Sequence, residues 1–214
     1  MGICVLVLGE SGSGKSTSLR NFEANEVSIF NVAGKPLPFR KKLPKATTSD
    51  YKQIKAGMKQ SEKKIFIIDD SQYLMAFAMF DKAKETGYGK FTDIALDFKG
   101  LIDFVIHVLP LDVVVYFLHH VEKSDDGHVK AKTSGKMIDS QLTLEGLFSI
   151  VLMCKVDSTG HKFITQSEGM DTCKSPMEML EKEMDNDLKI VDTAIREYWE
   201  LAPIPNKTIE SEIK

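Results

Sequence analysis

Apolar and polar positions fall into blocks whose length and period separate strands from helices. Ile3-Cys-Val-Leu-Val-Leu8 is a short continuous apolar run closed by a glycine, the pattern of a strand covered on both faces. Val27 to Val32, Ile65 to Ile68, Val113 to Leu118 and Phe148 to Val156 read as further strands. Helical spacing fills the gaps: Lys15 to about Phe22, a helix capped by Ser49 and Asp50 that runs to about Lys59, Gln72 to Lys84, Phe91 to Val108 after the Gly87-Tyr-Gly89 break, and amphipathic Asn186 to Leu201. Residues 34–45 hold three prolines and five basic residues with no acid, which reads as a loop. A polar loop spans 122–139, and the turn at Asp157-Ser-Thr-Gly160 joins Phe148–Val156 to Lys162–Gln166 as a hairpin. There is no internal repeat. The pattern predicts an α/β fold with a mostly parallel sheet between helices, one domain over residues 1–202, and a mobile tail from 203 to 214.

One motif dominates the chemistry. Gly9-Glu-Ser-Gly-Ser-Gly-Lys-Ser16 matches G-x-x-x-x-G-K-[ST] at every fixed position, with a predicted strand before it and a predicted helix after it. The glycines let backbone N–H groups curl round a β-phosphate, and a following helix N-terminus would add a field favourable to anions. Gly9, Ser11, Gly12, Ser13 and Gly14 form the expected cradle. Lys15 would reach the β- and γ-phosphates, Ser16 would ligate Mg²⁺, and Thr17 would lie near the α-phosphate. Chance produces glycine-rich turns, but rarely with the full motif in this frame. The expected ligand is a nucleoside triphosphate.

Such a loop needs an acid to hold the magnesium shell. Ile65-Phe-Ile-Ile-Asp69-Asp70 is an apolar strand ending in carboxylates, so Asp69 is the expected second metal residue and Asp70 the residue that polarises an attacking water. Glu10 is a rival base and Glu145 a distant third. In P-loop ATPases with an additional strand, a polar residue at the end of that strand senses the γ-phosphate. Here that is His119, with His120 behind it, although a strand-end histidine is as often a plain hydrogen-bonding residue.

Composition narrows the setting. The 214 residues carry 28 Lys+Arg against 31 Asp+Glu, a net charge of −3, so any nucleic acid is met through a local patch. Cys4, Cys154 and Cys173 are too few and too scattered for a disulfide framework or zinc site, which suits a reducing cytoplasm. No apolar run is long enough to span a bilayer, Leu6 stands where a myristoylation signal needs serine or threonine, and no basic n-region marks a secretory peptide.

Several P-loop classes fit poorly. Neither Asp69-Asp-Ser-Gln72 nor Asp70-Ser-Gln-Tyr73 supplies the D-x-x-G of small GTPases, and Cys154-Lys-Val-Asp157 lacks the asparagine of the guanine-reading N-K-x-D, which favours ATP. A nucleotide kinase clamps its phosphoryl group with several arginines, and this chain has only Arg20, Arg40 and Arg196. An ABC-type L-S-G-G-Q stretch is missing.

The stretches Gly9 to Ser18, Asn31-Val-Ala-Gly-Lys-Pro-Leu-Pro-Phe39, Ile68-Asp-Asp-Ser-Gln-Tyr-Leu74, Gly135-Lys-Met-Ile-Asp139 and Leu144-Glu-Gly-Leu-Phe148 together resemble phage-encoded AAA/RecA-core ATPases, as do Lys174-Ser-Pro176 and Asn186-Asp-Leu188. The resemblance runs from about Ile3 to Tyr198 and implies a P-loop NTPase of RecA/AAA-like core, Mg²⁺-dependent ATP hydrolysis, and a role in DNA recombination or replication as a homo-oligomer or beside a recombination partner protein. Rings of the AAA type supply a finger in trans; no arginine is an obvious choice, and Lys174, Lys136 and Arg196 are the candidates.

Single-stranded DNA would meet Lys35, Arg40, Lys41, Lys42 and Lys45, with Phe39 for base stacking, and secondarily Lys123, Lys130, Lys132 and Lys136; solvated loops give the same composition. Two other classes remain open: a nucleotide-gated binding switch with little turnover, and a small-molecule or nucleotide kinase.

Overall fold

The computed structural model describes residues 1–134 and 143–203. Lys136, the Gly135–Asp139 stretch and the tail beyond 203 lie outside the described residues. Nine strands are described: β1 (Ile3–Gly9), β2 (Val27–Asn31), β3 (Lys45–Thr47), β4 (Ile65–Asp69), β5 (Val114–Lys123), β6 (Val129–Ala131), β7 (Ile150–Asp157), β8 (Gly160–Ile164) and β9 (Glu183–Asp185). The helices are α1 (Tyr51–Gln60), α2 (Gln72–Asp81), α3 (Gly89–Val108) and α4 (Leu188–Tyr198).

The sheet runs β3-β2-β4-β5-β1-β7-β8-β9, with β3 to β7 along that order parallel and β8 and β9 antiparallel. β6 folds back on the far half of β5. The fold is therefore α/β with a mostly parallel mixed sheet between helices. Continuous apolar runs follow from burial on both faces. Leu6, Leu8, Phe66, Ile68, Val115 and Phe117 join the core under α1, α2 and α3. Val5, Val7, Ile65, Ile67, Tyr116 and Leu152 join a second core under α4.

α1 begins where predicted, because the Asp50 side chain accepts from the backbone N–H of Lys52 and Gln53. Asp187 caps α4 in the same way through Lys189. Two expectations fail. The predicted Lys15–Phe22 helix is a single 3₁₀ turn, Ser16–Leu19. Its three hydroxyl residues are weak helix formers, and Ser18 Oγ donates to the Lys15 carbonyl (2.6 Å), competing with helical pairing. The strand predicted to end at Leu118 continues to Lys123, so His119 and His120 lie within β5 and the loop predicted from 122 opens on a hairpin to β6. No helix among the described residues is long and apolar enough to cross a membrane.

Candidate nucleotide-binding cleft

The Gly9–Ser16 segment leaves β1 at the carboxyl edge of the sheet, between the ends of β5 and β7. Gly12 and Gly14 take φ of +79° and +101°, a region costly for residues with a side chain. Gly14 has a second constraint: a Cβ there would lie 2.7 Å from His161 Nδ1. That ring nitrogen donates to the Ser13 carbonyl at 2.9 Å, so β8 braces the loop from outside. A further brace comes from the start of α4, where Asn186 O accepts from Arg20 and Asp187 accepts from Asn21. These contacts hold a loop that has only one helical turn behind it. The helix dipole expected from the sequence is absent with the helix, so a long helix N-terminus adds nothing to the loop's field for an anion.

Lys15 is buried and folds back on its own loop, donating to Gly9 O (2.8 Å) and Glu10 O (2.9 Å). Burial lowers its pKa, and Cys154, Asp70 and Asp69 offset part of that. Ser16 Oγ donates to Asp69 Oδ1 at 2.8 Å, joining residues 53 positions apart. Asp69 ends β4 and is buried; burial raises its pKa and the Ser16 hydroxyl opposes the rise.

Asp70 turns off the strand with a φ of +60°, a left-handed conformation that aspartate tolerates better than most. Its carboxylate accepts from Lys35 Nζ (2.8 Å) and His120 Nε2 (3.1 Å). Burial alone would raise its pKa, but those two hydrogen bonds outweigh it and hold the carboxyl at about 2. Ser11, Gly12, Gly14, Lys15, Ser16, Thr17, Lys35, Asp69, Asp70 and His120 line one cleft of about 210 Å³, together with Pro36 and Pro38. A larger cavity of about 410 Å³ shares Ser11 and Gly12 with it and extends over Met153, Cys154 and Lys155.

Other predicted residues lie elsewhere. His119 is wholly buried against α3; its ring sits 6.0 Å from Phe98, Nδ1 accepts from Ser71 Oγ at 2.9 Å and Nε2 donates to Lys132 O at 2.8 Å. Side chains alternate along β5, so the neighbouring His120 faces the cleft and His119 cannot. Glu10 is exposed, paired with Lys123 (2.8 Å), and borders the larger cavity instead of Asp69. Glu145 accepts from the Ala131 N–H at 2.7 Å, a structural contact.

Arg196 is buried at the opposite edge of the sheet, so it is no finger of this chain's surface. Lys174 pairs through its backbone with Val151 beside β7 and does not line the cleft. Phe39 packs against the core under α4, which removes it as a free stacking platform. Lys41 pairs with Glu23 (2.7 Å), and Lys130 with Glu122 (3.1 Å); Arg40 and Lys42 remain exposed.

Sequence reasoning missed His161 and Asn186 as braces, because nothing local to them points at a loop some 150 residues earlier. It also assigned Lys35 to a DNA-facing loop, whereas the ammonium points at Asp70. Among the described residues no group of three or more His, Cys, Asp or Glu could hold a metal by itself. The Ser16–Asp69 pair is a hard-oxygen donor set of the kind that suits Mg²⁺, which keeps most of its shell as water and phosphate. No protein-family model matches the chain, and no curated protein matches it.

Proposed function

We propose that the chain is a P-loop NTPase of RecA/AAA-like core that binds ATP with Mg²⁺ and hydrolyses it. The observation that carries this is the Ser16–Asp69 hydrogen bond. It joins the hydroxyl of the G-x-x-x-x-G-K-[ST] loop to the carboxylate at the end of β4 in a cleft that Lys15 also lines. The strand order adds support, since β5 lies between the strand that carries the loop and the strand that carries Asp69.

In the proposed complex the loop and Lys15 hold the phosphates, Thr17 lies by the α-phosphate, and Ser16 and Asp69 hold the metal, which neutralises phosphate charge when bound. Lys15 would exchange its two carbonyl partners for phosphate oxygens; both are neutral, so the exchange favours the anion. Asp70 orients the attacking water. His120 replaces His119 as the strand residue facing the γ-phosphate.

The wider setting, phage DNA recombination or replication with single-stranded DNA and as an oligomer or with a partner protein, rests on the resemblance and on the basic 35–45 loop. Phosphate release should be followed with ATP and Mg²⁺, with and without single-stranded DNA, in the wild type and in Lys15→Ala. Release that falls to background in Lys15→Ala with an unchanged circular dichroism spectrum is expected. Undiminished turnover in that variant sinks the assignment. One feature favours the switch as second reading: the carboxylate of Asp70 is already paired twice. Tight ATP binding with negligible release would select it, and phosphoryl transfer to an added acceptor would select a kinase.

A further inference from the structure

Within the cleft, charge is distributed unevenly. Among the described residues that line it, Lys35 is the only lysine or arginine besides Lys15. Lys35 comes from the loop after β2, while Lys15 rises from the loop after β1, so two cations face the same space from different segments. Lys35 Nζ lies 2.8 Å from Asp70 Oδ2 and 5.1 Å from the centroid of the Tyr73 ring. Its side chain is 59% exposed and that of Asp70 12%, so the ammonium is the movable partner and the carboxylate the fixed one. Asp70 keeps a second donor in His120 whichever way Lys35 turns.

Building on the ATPase assignment, we infer that Lys35 is a catalytic cation supplied in cis. It would leave Asp70 for a terminal phosphate oxygen of the bound nucleoside triphosphate, and so stand where related machines use a finger from a neighbour. The exchange does two things at once. It brings positive charge to the oxygens that gain charge during phosphoryl transfer, and it frees Asp70 Oδ2 to accept a hydrogen bond from water. In the step itself the water oxygen bonds to the γ-phosphorus, and the bond from that phosphorus to the β–γ bridging oxygen breaks. The ADP oxygen leaves with the electron pair, and the water proton passes to the phosphate product. Asp70 orients and does not need to carry the proton. The trigger is intrinsic: ADP lacks the oxygen that Lys35 seeks, so the Lys35–Asp70 pair re-forms after release. Among the described residues, Arg196 is buried at the far edge, Lys123 is held by Glu10 over the neighbouring cavity, and Lys174 does not line the cleft.

The test compares wild type, Lys35→Met and Lys35→Arg in two measurements: affinity for a non-hydrolysable ATP analogue against ADP, and steady-state turnover. Lys35→Met is expected to weaken the analogue several-fold and leave ADP unchanged, and to lower kcat by about 10²-fold, with Lys35→Arg recovering part of both. Equal weakening of analogue and ADP means that Lys35 only holds its loop in place, and it overturns the inference. Unchanged or raised turnover with an unchanged affinity ratio overturns it as well and leaves the ATPase assignment standing. If the wild type binds the analogue without hydrolysing it, the affinity ratio alone decides. If the wild type binds neither nucleotide, the ATPase assignment falls and the inference falls with it.

Discussion

Two clusters of charge sit at opposite edges of the same sheet, and each is built round one aspartate with two side-chain partners. At the amino edge Asp192 accepts from Arg196 Nε (2.6 Å) and from the Tyr116 hydroxyl (2.9 Å). The remaining guanidinium nitrogens bond the carbonyls of Asp112, Ala202 and Lys64, so α4 is pinned to the starts of β4 and β5. At the carboxyl edge Asp70 accepts from Lys35 and His120. The first ion pair is 4% and 0% exposed, whereas the second has one partner in solvent. Similar residue types thus serve opposite ends: a sealed cluster fixes a helix, and an open one keeps a partner that, in the proposed complex, turns to a ligand. The open cluster is on the edge where ligands of parallel α/β sheets bind.

The largest effect should come from breaking the sealed cluster. Arg196→Ala leaves a buried carboxylate facing a buried phenol with no cation, and should cost about 3–5 kcal/mol in urea unfolding. Replacing the acid and base together, as Arg196→Met with Asp192→Leu, should cost far less because no charge is stranded. A loss below about 1 kcal/mol for Arg196→Ala would put it among exposed ion pairs and break the comparison.

A second effect belongs to His119, buried between the two edges. Burial holds its pKa at about 4, below the ordinary 6.5, even though the Lys132 carbonyl favours the charged ring. The folded protein therefore keeps the ring neutral while the unfolded chain takes up a proton. Stability from this group is complete above about pH 6.5 and is lost as pH falls towards 4, by about 3 kcal/mol in all. His119→Gln should flatten the unfolding free energy over that window. An equally steep fall in the variant would assign the pH dependence to other groups.

These residues also show what the chain reveals before it is folded. The strand cores, the place of the Gly9–Ser16 segment after β1 and that of Asp69 at the end of β4 were readable because each is a local pattern: an apolar run, a fixed spacing, an acid closing a strand. Which of His119 and His120 faces the cleft was not legible, because that needs the true end of β5, and Val121 is the one apolar residue from there to Lys123. Three strands, β3, β6 and β9, span three residues each and leave no period to count. Arg196 looked available because sequence alone does not show that Asp192, one turn earlier, and two distant carbonyls consume its donors. His161 was invisible for the same reason, since its partner is the carbonyl of Ser13.

The smallest effect sharpens the comparison most. Lys35→Met removes one partner of Asp70, as Arg196→Ala removes one of Asp192, yet solvent and His120 remain to the carboxylate. An ion pair with a largely exposed ammonium is screened by water, so the loss in unfolding free energy should stay within about 1 kcal/mol. The acid limb gives the sign. Asp70 is held at about 2, below the ordinary carboxyl value, so its stabilisation is present above about pH 4 and disappears as pH falls through 2. Without Lys35 the Asp70 carboxyl carbon, followed by NMR, should titrate at higher pH, while the unfolding free energy near neutrality barely moves. A cost above about 2 kcal/mol would mean that the Lys35–Asp70 pair is a structural tie like the one at Arg196. A tie of that strength would resist exchange for phosphate, and the two edges of the sheet would no longer differ in kind.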